Sequence, residues 1–119
     1  MKSSSRRPEQ VAETLRQVIT DALLREVRDP RVGFVTITGV RVTGDLGHAT
    51  VMVSVGGSED EKARALEGLR SAAGFLRSRA ARALTTRTVP ELHFELDTGL
   101  EHAARIEALL QEIRREGQG

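Results

Sequence analysis

The sequence predicts a two-layer α+β sandwich, with helices packed on one side of a small three-stranded sheet. Three observations point there. Residues 32–43, 48–55 and 89–96 alternate apolar and polar side chains with the period of two that a half-buried strand requires. Residues 8–27, 58–87 and 98–113 instead repeat their apolar positions at helical spacing. The order is then helix, strand, strand, a pair of central helices, strand, helix. At 119 residues the chain is long enough for one core and one domain.

Each element has its own local signals. Residues 1–7 are a short basic leader expected to be flexible, residues 8–113 the domain, and residues 114–119 a polar tail expected to be flexible too. Pro8 suits a first helical turn. Val11, Leu15, Val18, Ile19, Ala22, Leu23 and Val27 trace one face behind it, and Asp29-Pro30 stops the helix. Leu24 falls off that stripe. In the first strand Val35 and Ile37 share one phase and Val40 and Val42 the other, so a bulge is predicted around Gly39. Gly44-Asp45-Leu46-Gly47 reads as the turn of a hairpin whose second strand buries Ala49, Val51, Val53 and Val55.

Ser58 and Glu61 form a capping box ahead of the central helical stretch. Ala72-Ala73-Gly74 interrupts it. A glycine inside a helix costs about 1 kcal/mol relative to alanine and usually marks a kink or a close approach. Two consecutive helices meeting near Gly74 are therefore predicted. Pro90 places the start of the last strand at a sheet edge or before the ladder begins. Asp97 or Thr98 caps the last helix, with Thr98 and Glu101 as a second capping box and Ala103, Ile106, Leu110 and Ile113 as its apolar face.

Charge is distributed unevenly. From position 62 to 87 there are seven basic residues (Lys62, Arg64, Arg70, Arg77, Arg79, Arg82 and Arg87) against Glu67 alone, which leaves +6 in a chain whose net charge is +1. From Thr88 onward seven acidic residues face three basic ones. A charge run is usually a solvated helix face, but arginines without glutamates at i,i+4 favour an anionic ligand, nucleic acid above all. With only Phe34, Phe75 and Phe94, a platform of aromatic rings for stacking bases is not expected.

The element order and the small-residue break resemble the type II KH domain, which holds nucleic acid with a Gly-x-x-Gly loop. Here that position reads Ser71-Ala72-Ala73-Gly74. The fuller resemblance is to the bacterial ribosome-binding factor A family, whose KH-like domain carries an Ala-x-Gly kink, matched by Ala72, Ala73 and Gly74. It extends over nearly the whole chain: the opening Arg-Pro-Glu-Gln-Val-Ala helix, Arg28 to Arg31, Val53-Ser54-Val55, the run from Val89 to Asp97, and Arg105-Ile106.

The resemblance implies a type II KH-like, non-catalytic, monomeric cytoplasmic factor without cofactor or small-molecule substrate. Such a factor binds the small (30S) ribosomal subunit and its 16S rRNA. It assists late maturation including the 16S rRNA 5′ end, and matters most in the cold. The arginines at 64, 70, 77, 79, 82 and 87 are the expected RNA contacts. Without Gly-x-x-Gly, recognition by shape and phosphates is expected in place of the usual clamp.

Other chemistries lack support. The absence of cysteine removes disulfides and thiolates. No apolar run approaches the roughly 20 residues that span a bilayer. His48, His93 and His102 lie in separate elements without cysteine partners, so no metal site is expected. No nucleophile, phosphate-loop or paired-carboxylate motif stands out. Two alternatives remain: a generic KH-like RNA binder outside the ribosome, and a protein-interaction adaptor using the Leu24 side and the acidic last helix.

Overall fold

Pro8 opens helix α1 (Pro8–Arg25), where its missing N–H costs nothing, and Val11, Leu15, Ile19 and Ala22 turn inward. The computed structural model of the chain describes residues 7–85 and 88–118, without the side chains of 100–105 and 118. The expected leader, up to Arg6, lies outside the described residues. After α1, Asp29 accepts the Arg31 N–H and Pro30 starts a single 3-10 turn, Pro30–Val32. That turn delays the first strand, which runs Val35–Val42 (β1) and not from Val32. Val32 is buried against the central helix instead.

Strand β2 (His48–Val55) pairs antiparallel with β1, and the register shifts between Ile37 and Gly39 as the phase change predicts. The hairpin turn is tied by Asp45, which accepts the Thr43 hydroxyl at 2.7 Å and the Gly47 N–H at 2.9 Å. Those donors hold the Asp45 carboxyl below the usual carboxylate range. Strand β3 (Glu91–Leu96) adds parallel to β2, giving the order β1-β2-β3. It starts after Pro90, which has no N–H to donate; the Glu91 N–H bonds the Gly47 carbonyl at 2.9 Å.

The central helix α2 (Glu59–Ala83) corrects one expectation: it is a single helix of 25 residues and not a consecutive pair. Its capping box is complete, with Ser58 Oγ accepting the Glu61 N–H and Glu61 returning to the Ser58 N–H. Gly74 lies within it, exposed, and a Cβ there would meet nothing within 4 Å. Flanking residues Leu69, Leu76 and Ala80 are fully buried. Burying a leucine is worth roughly 1.5–3 kcal/mol, more than the helical penalty of one glycine. The close approach belongs to Gly68, where a Cβ would lie 2.9 Å from Val32 Cγ1 and 3.2 Å from Arg31 Cβ.

The core sits between α1 and α2 on one side and the sheet on the other. Ala49, Val51 and Val53 of the central strand are fully buried there, with Leu92 and Phe94 beside them from β3. A second correction concerns helix α3 (Gly99–Gln118). Its stripe was expected to share this core, yet Ile106 is 45% exposed and Ile113 61%. The inward face of three short strands is already covered by α1 and α2. Helix α3 is capped by Asp97, whose Oδ1 accepts the Gly99 N–H at 3.0 Å. The alternative capping box of Thr98 with Glu101 depends on the Glu101 side chain, which lies outside the described residues, as does the side chain of Ala103.

Candidate nucleic-acid interface

The rotation of α2 decides where its arginines point, and burial of Ala65, Leu69, Leu76 and Ala80 sets that rotation. At about 100° per residue, Arg70 and Arg77 fall on one flank, toward β3. Arg64, Arg79 and Arg82 fall on the other, toward α1 and the 3-10 turn. Ser71, Gly74, Ser78 and Ala81 are exposed between the flanks. From Ser71 onward the solvent face of α2 is thus a band of small side chains framed by guanidinium groups, with Glu67 one turn before it, 3.8 Å from Arg31. Gly74, Arg77, Ser78, Ala81 and Val89 line a shallow depression on its β3 side.

The arginines do different work. Arg77 donates to the Val89 carbonyl at 2.8 Å and the Pro90 carbonyl at 3.3 Å, which holds the approach to β3 against the helix. It keeps an uncompensated charge while committing part of its donor set. Arg79 meets Glu26, at the end of α1, through Nε at 2.8 and 2.9 Å and through Nη2 at 2.6 Å. Its guanidinium also lies 4.6 Å from the centroid of the Phe75 ring, a cation–π distance. The Arg79 hydrogen bonds hold the Glu26 carboxyl below the usual range and raise Arg79 above its own. Sequence proximity could not reveal this countercharge, because it arrives from 53 residues away.

Arg64, Arg70 and Arg82 are exposed and carry no ion pair among the described residues. Arg87 lies outside the described residues. Of the kink motif, Ala72 and Ala73 are half-buried against the core and Gly74 faces solvent. The six expected contacts therefore reduce to three guanidinium groups without an ion pair (Arg64 near Glu61 and Arg82 near Glu26), one structural arginine, one neutralised arginine and one that is not described. Arg64 shares a second hollow with Pro30, Arg31, Phe34, Val55, Gly56 and Glu61. Arg31 in that hollow is bound to Asp29, and Glu61 is spent on the helix cap.

Two features escaped the sequence reading. Phe34, in the wall of the Arg64 hollow, is 85% exposed, a single ring and not a stacking platform. Parallel pairing of β2 with β3 also brings His48 and His93 together, with Nδ1 of the first 3.0 Å from Nε2 of the second. Neither has a local signature; the histidines meet only once the strand order is known.

A sequence model of the family described as ribosome-binding factor A matches residues 7–110. The ribosome-binding factor A of Thermomicrobium roseum is 50% identical over 114 residues, covering 96% of this chain and 88% of that one. A solution structure described as a putative ribosome binding factor A, from Thermotoga maritima, superposes with a TM-score of 0.68 at 31% identity, over 76% of this chain and 87% of that one. A homology model of the Thermus thermophilus ribosome binding factor A, fitted into a cryo-EM map of its complex with the 30S subunit, gives a TM-score of 0.56. It is 26% identical and covers 76% of this chain and 91% of that one.

Proposed function

Because the chain belongs to the ribosome-binding factor A family, we propose that it binds the small (30S) ribosomal subunit through its 16S rRNA and assists late maturation, including processing of the 5′ end. The observation that carries this reading is the family match over residues 7–110, which spans every element that builds the arginine-framed face of α2. On this reading Arg64, Arg70 and Arg82 contact phosphates, while the small residues between the flanks let the RNA backbone come close. The undescribed Arg87 remains part of the proposal. The protein acts as a monomeric cytoplasmic binding factor without cofactor or catalytic step. Among the described residues no helix is long and apolar enough to cross a membrane.

A binding factor changes RNA maturation by favouring one conformer of a two-state RNA, by as much as its affinities for the two states differ. Misfolded RNA helices persist longer in the cold, so the demand for such a factor grows as temperature falls. The deciding experiment is sedimentation of a cell lysate together with cold growth of a deletion strain. The protein should travel with free small subunits. Its loss should slow cold growth and accumulate small-subunit precursors with unprocessed 16S rRNA ends, while large subunits mature normally. Normal subunit ratios and rRNA ends in the cold would overturn the maturation role. Equal affinity for unrelated RNAs would favour the generic RNA binder, and binding indifferent to salt the protein adaptor.

A further inference from the structure

The sheet face turned away from α1 and α2 carries side chains that the RNA-binding reading does not use. In the parallel register of β2 and β3, His48 is aligned with Glu91 and Thr50 with His93. Residues two apart on a strand share a face, so Glu91 and His93 stand on the same side as their neighbour His48. Their ligand atoms, one from each side chain, lie within 4.8 Å of one another, and all three residues are exposed. The backbone beneath them is fastened on both sides. The His48 N–H donates to Thr43 Oγ1 at 3.1 Å, and the Glu91 N–H donates to the Gly47 carbonyl at 2.9 Å.

We propose that His48, Glu91 and His93 form a binding site for a divalent transition-metal ion of the zinc or nickel class. Two imidazoles and one carboxylate are the donor set of such borderline ions, whereas calcium and magnesium favour oxygen ligands alone. The two nitrogens now meet nearly end to end, with the ring centroids 5.2 Å apart, so the ion is held once both rings turn to aim their lone pairs at one point. With metal–nitrogen bonds of about 2.0–2.1 Å, two nitrogens 3.0 Å apart subtend roughly 94° at the metal, near an octahedral cis angle. Beyond that turn, opening to a tetrahedral separation of about 3.3 Å adds a shift of a few tenths of an ångström. The remaining positions face solvent and are open to water. Without metal, the two nitrogens share one N–H···N hydrogen bond; on binding, the donor ring carries its proton on its other nitrogen, which frees both lone pairs for the ion. A bound ion ties the central strand to the edge strand β3.

The test is calorimetric titration of the untagged full chain with zinc chloride and nickel chloride in a non-coordinating buffer. One ion per chain is expected, together with a rise in melting temperature. His48→Gln and His93→Gln should each weaken binding about tenfold or more, since even losing an outer-shell partner costs that much. His102→Gln, which alters the remaining histidine of the chain, should change nothing. Nickel should broaden the NMR signals of His48, Glu91 and His93 first. Circular dichroism of the variants should match the unsubstituted chain, because the three side chains are exposed. The site is overturned if the His48→Gln/His93→Gln double variant takes up zinc as tightly as the unsubstituted chain, or if His102→Gln is equally damaging. Magnesium binding at the same residues with equal strength would overturn the assignment of the metal class.

Discussion

The guanidinium of Arg79 and the carboxylate of Glu26 join the middle of the basic helix to the end of α1, with the Phe75 ring beneath the arginine. The pair removes one positive charge from the proposed RNA-binding face and gives it a structural use. Arg79→Ala should therefore weaken RNA binding less than Arg82→Ala. Glu26→Gln, which unpairs Arg79, should strengthen binding and steepen its logarithmic salt dependence by about one unit. Filter binding over a range of salt concentrations separates these outcomes. A larger loss from Arg79→Ala would show that this side chain leaves Glu26 for the RNA.

The guanidinium groups without an ion pair make a second prediction. Charge reversal at Arg70 and Arg82 should lower affinity for small-subunit RNA on the order of tenfold or more at moderate salt. Reversal at Arg114 and Arg115 on α3 should have little effect. Equal losses from the two pairs would place the interface elsewhere.

Two glycines of the same helix should respond in opposite directions to alanine. Gly74→Ala fills open space and gains helix propensity, so it should stabilise the protein by up to about 1 kcal/mol. Gly68→Ala would drive a methyl group to 2.9 Å from Val32 Cγ1. It should destabilise by roughly 1–3 kcal/mol, the usual cost of overpacking. Urea unfolding of both variants checks the contrast. Stabilisation by Gly68→Ala would mean that the contact with the 3-10 turn is loose.

Acid should loosen the sheet through Asp97. Its Oδ2 accepts the Thr38 hydroxyl at 2.7 Å, and Thr38 is the extra residue of the β1 bulge, re-aimed across the sheet. That bond and the Gly99 N–H hold the Asp97 carboxyl below the usual range. A carboxyl depressed in the folded state contributes stability above its unfolded value of about 3.9, and that contribution is lost as pH falls through the folded value. Asp97→Asn and Thr38→Val should thus lower the urea midpoint at neutral pH, with the gap closing as the pH falls below the unfolded value. A gap independent of pH would assign the effect to packing.

Much of this molecule is written locally. The Ser58–Glu61 capping box, the proline at the start of α1, the bulge near Gly39 and the alternation of Ala49, Val51, Val53 and Val55 each depend on residues within a few positions. Such features are legible because backbone hydrogen bonding and side-chain period act over one turn or one pleat. Family likeness and charge asymmetry were legible too, since both are carried by residue order. Tertiary structure decided the rest. Gly74 signals a break, yet the packing of Leu69, Leu76 and Ala80 outweighs its propensity and α2 continues. Gly68 sends the same signal, and only its contact with Val32 shows what the glycine is for. The neutralisation of Arg79 by Glu26, the meeting of His48 with His93 and the exposed stripe of α3 all depend on which surfaces pack together. That choice is settled by burial summed over the whole core, a quantity no short window of sequence contains.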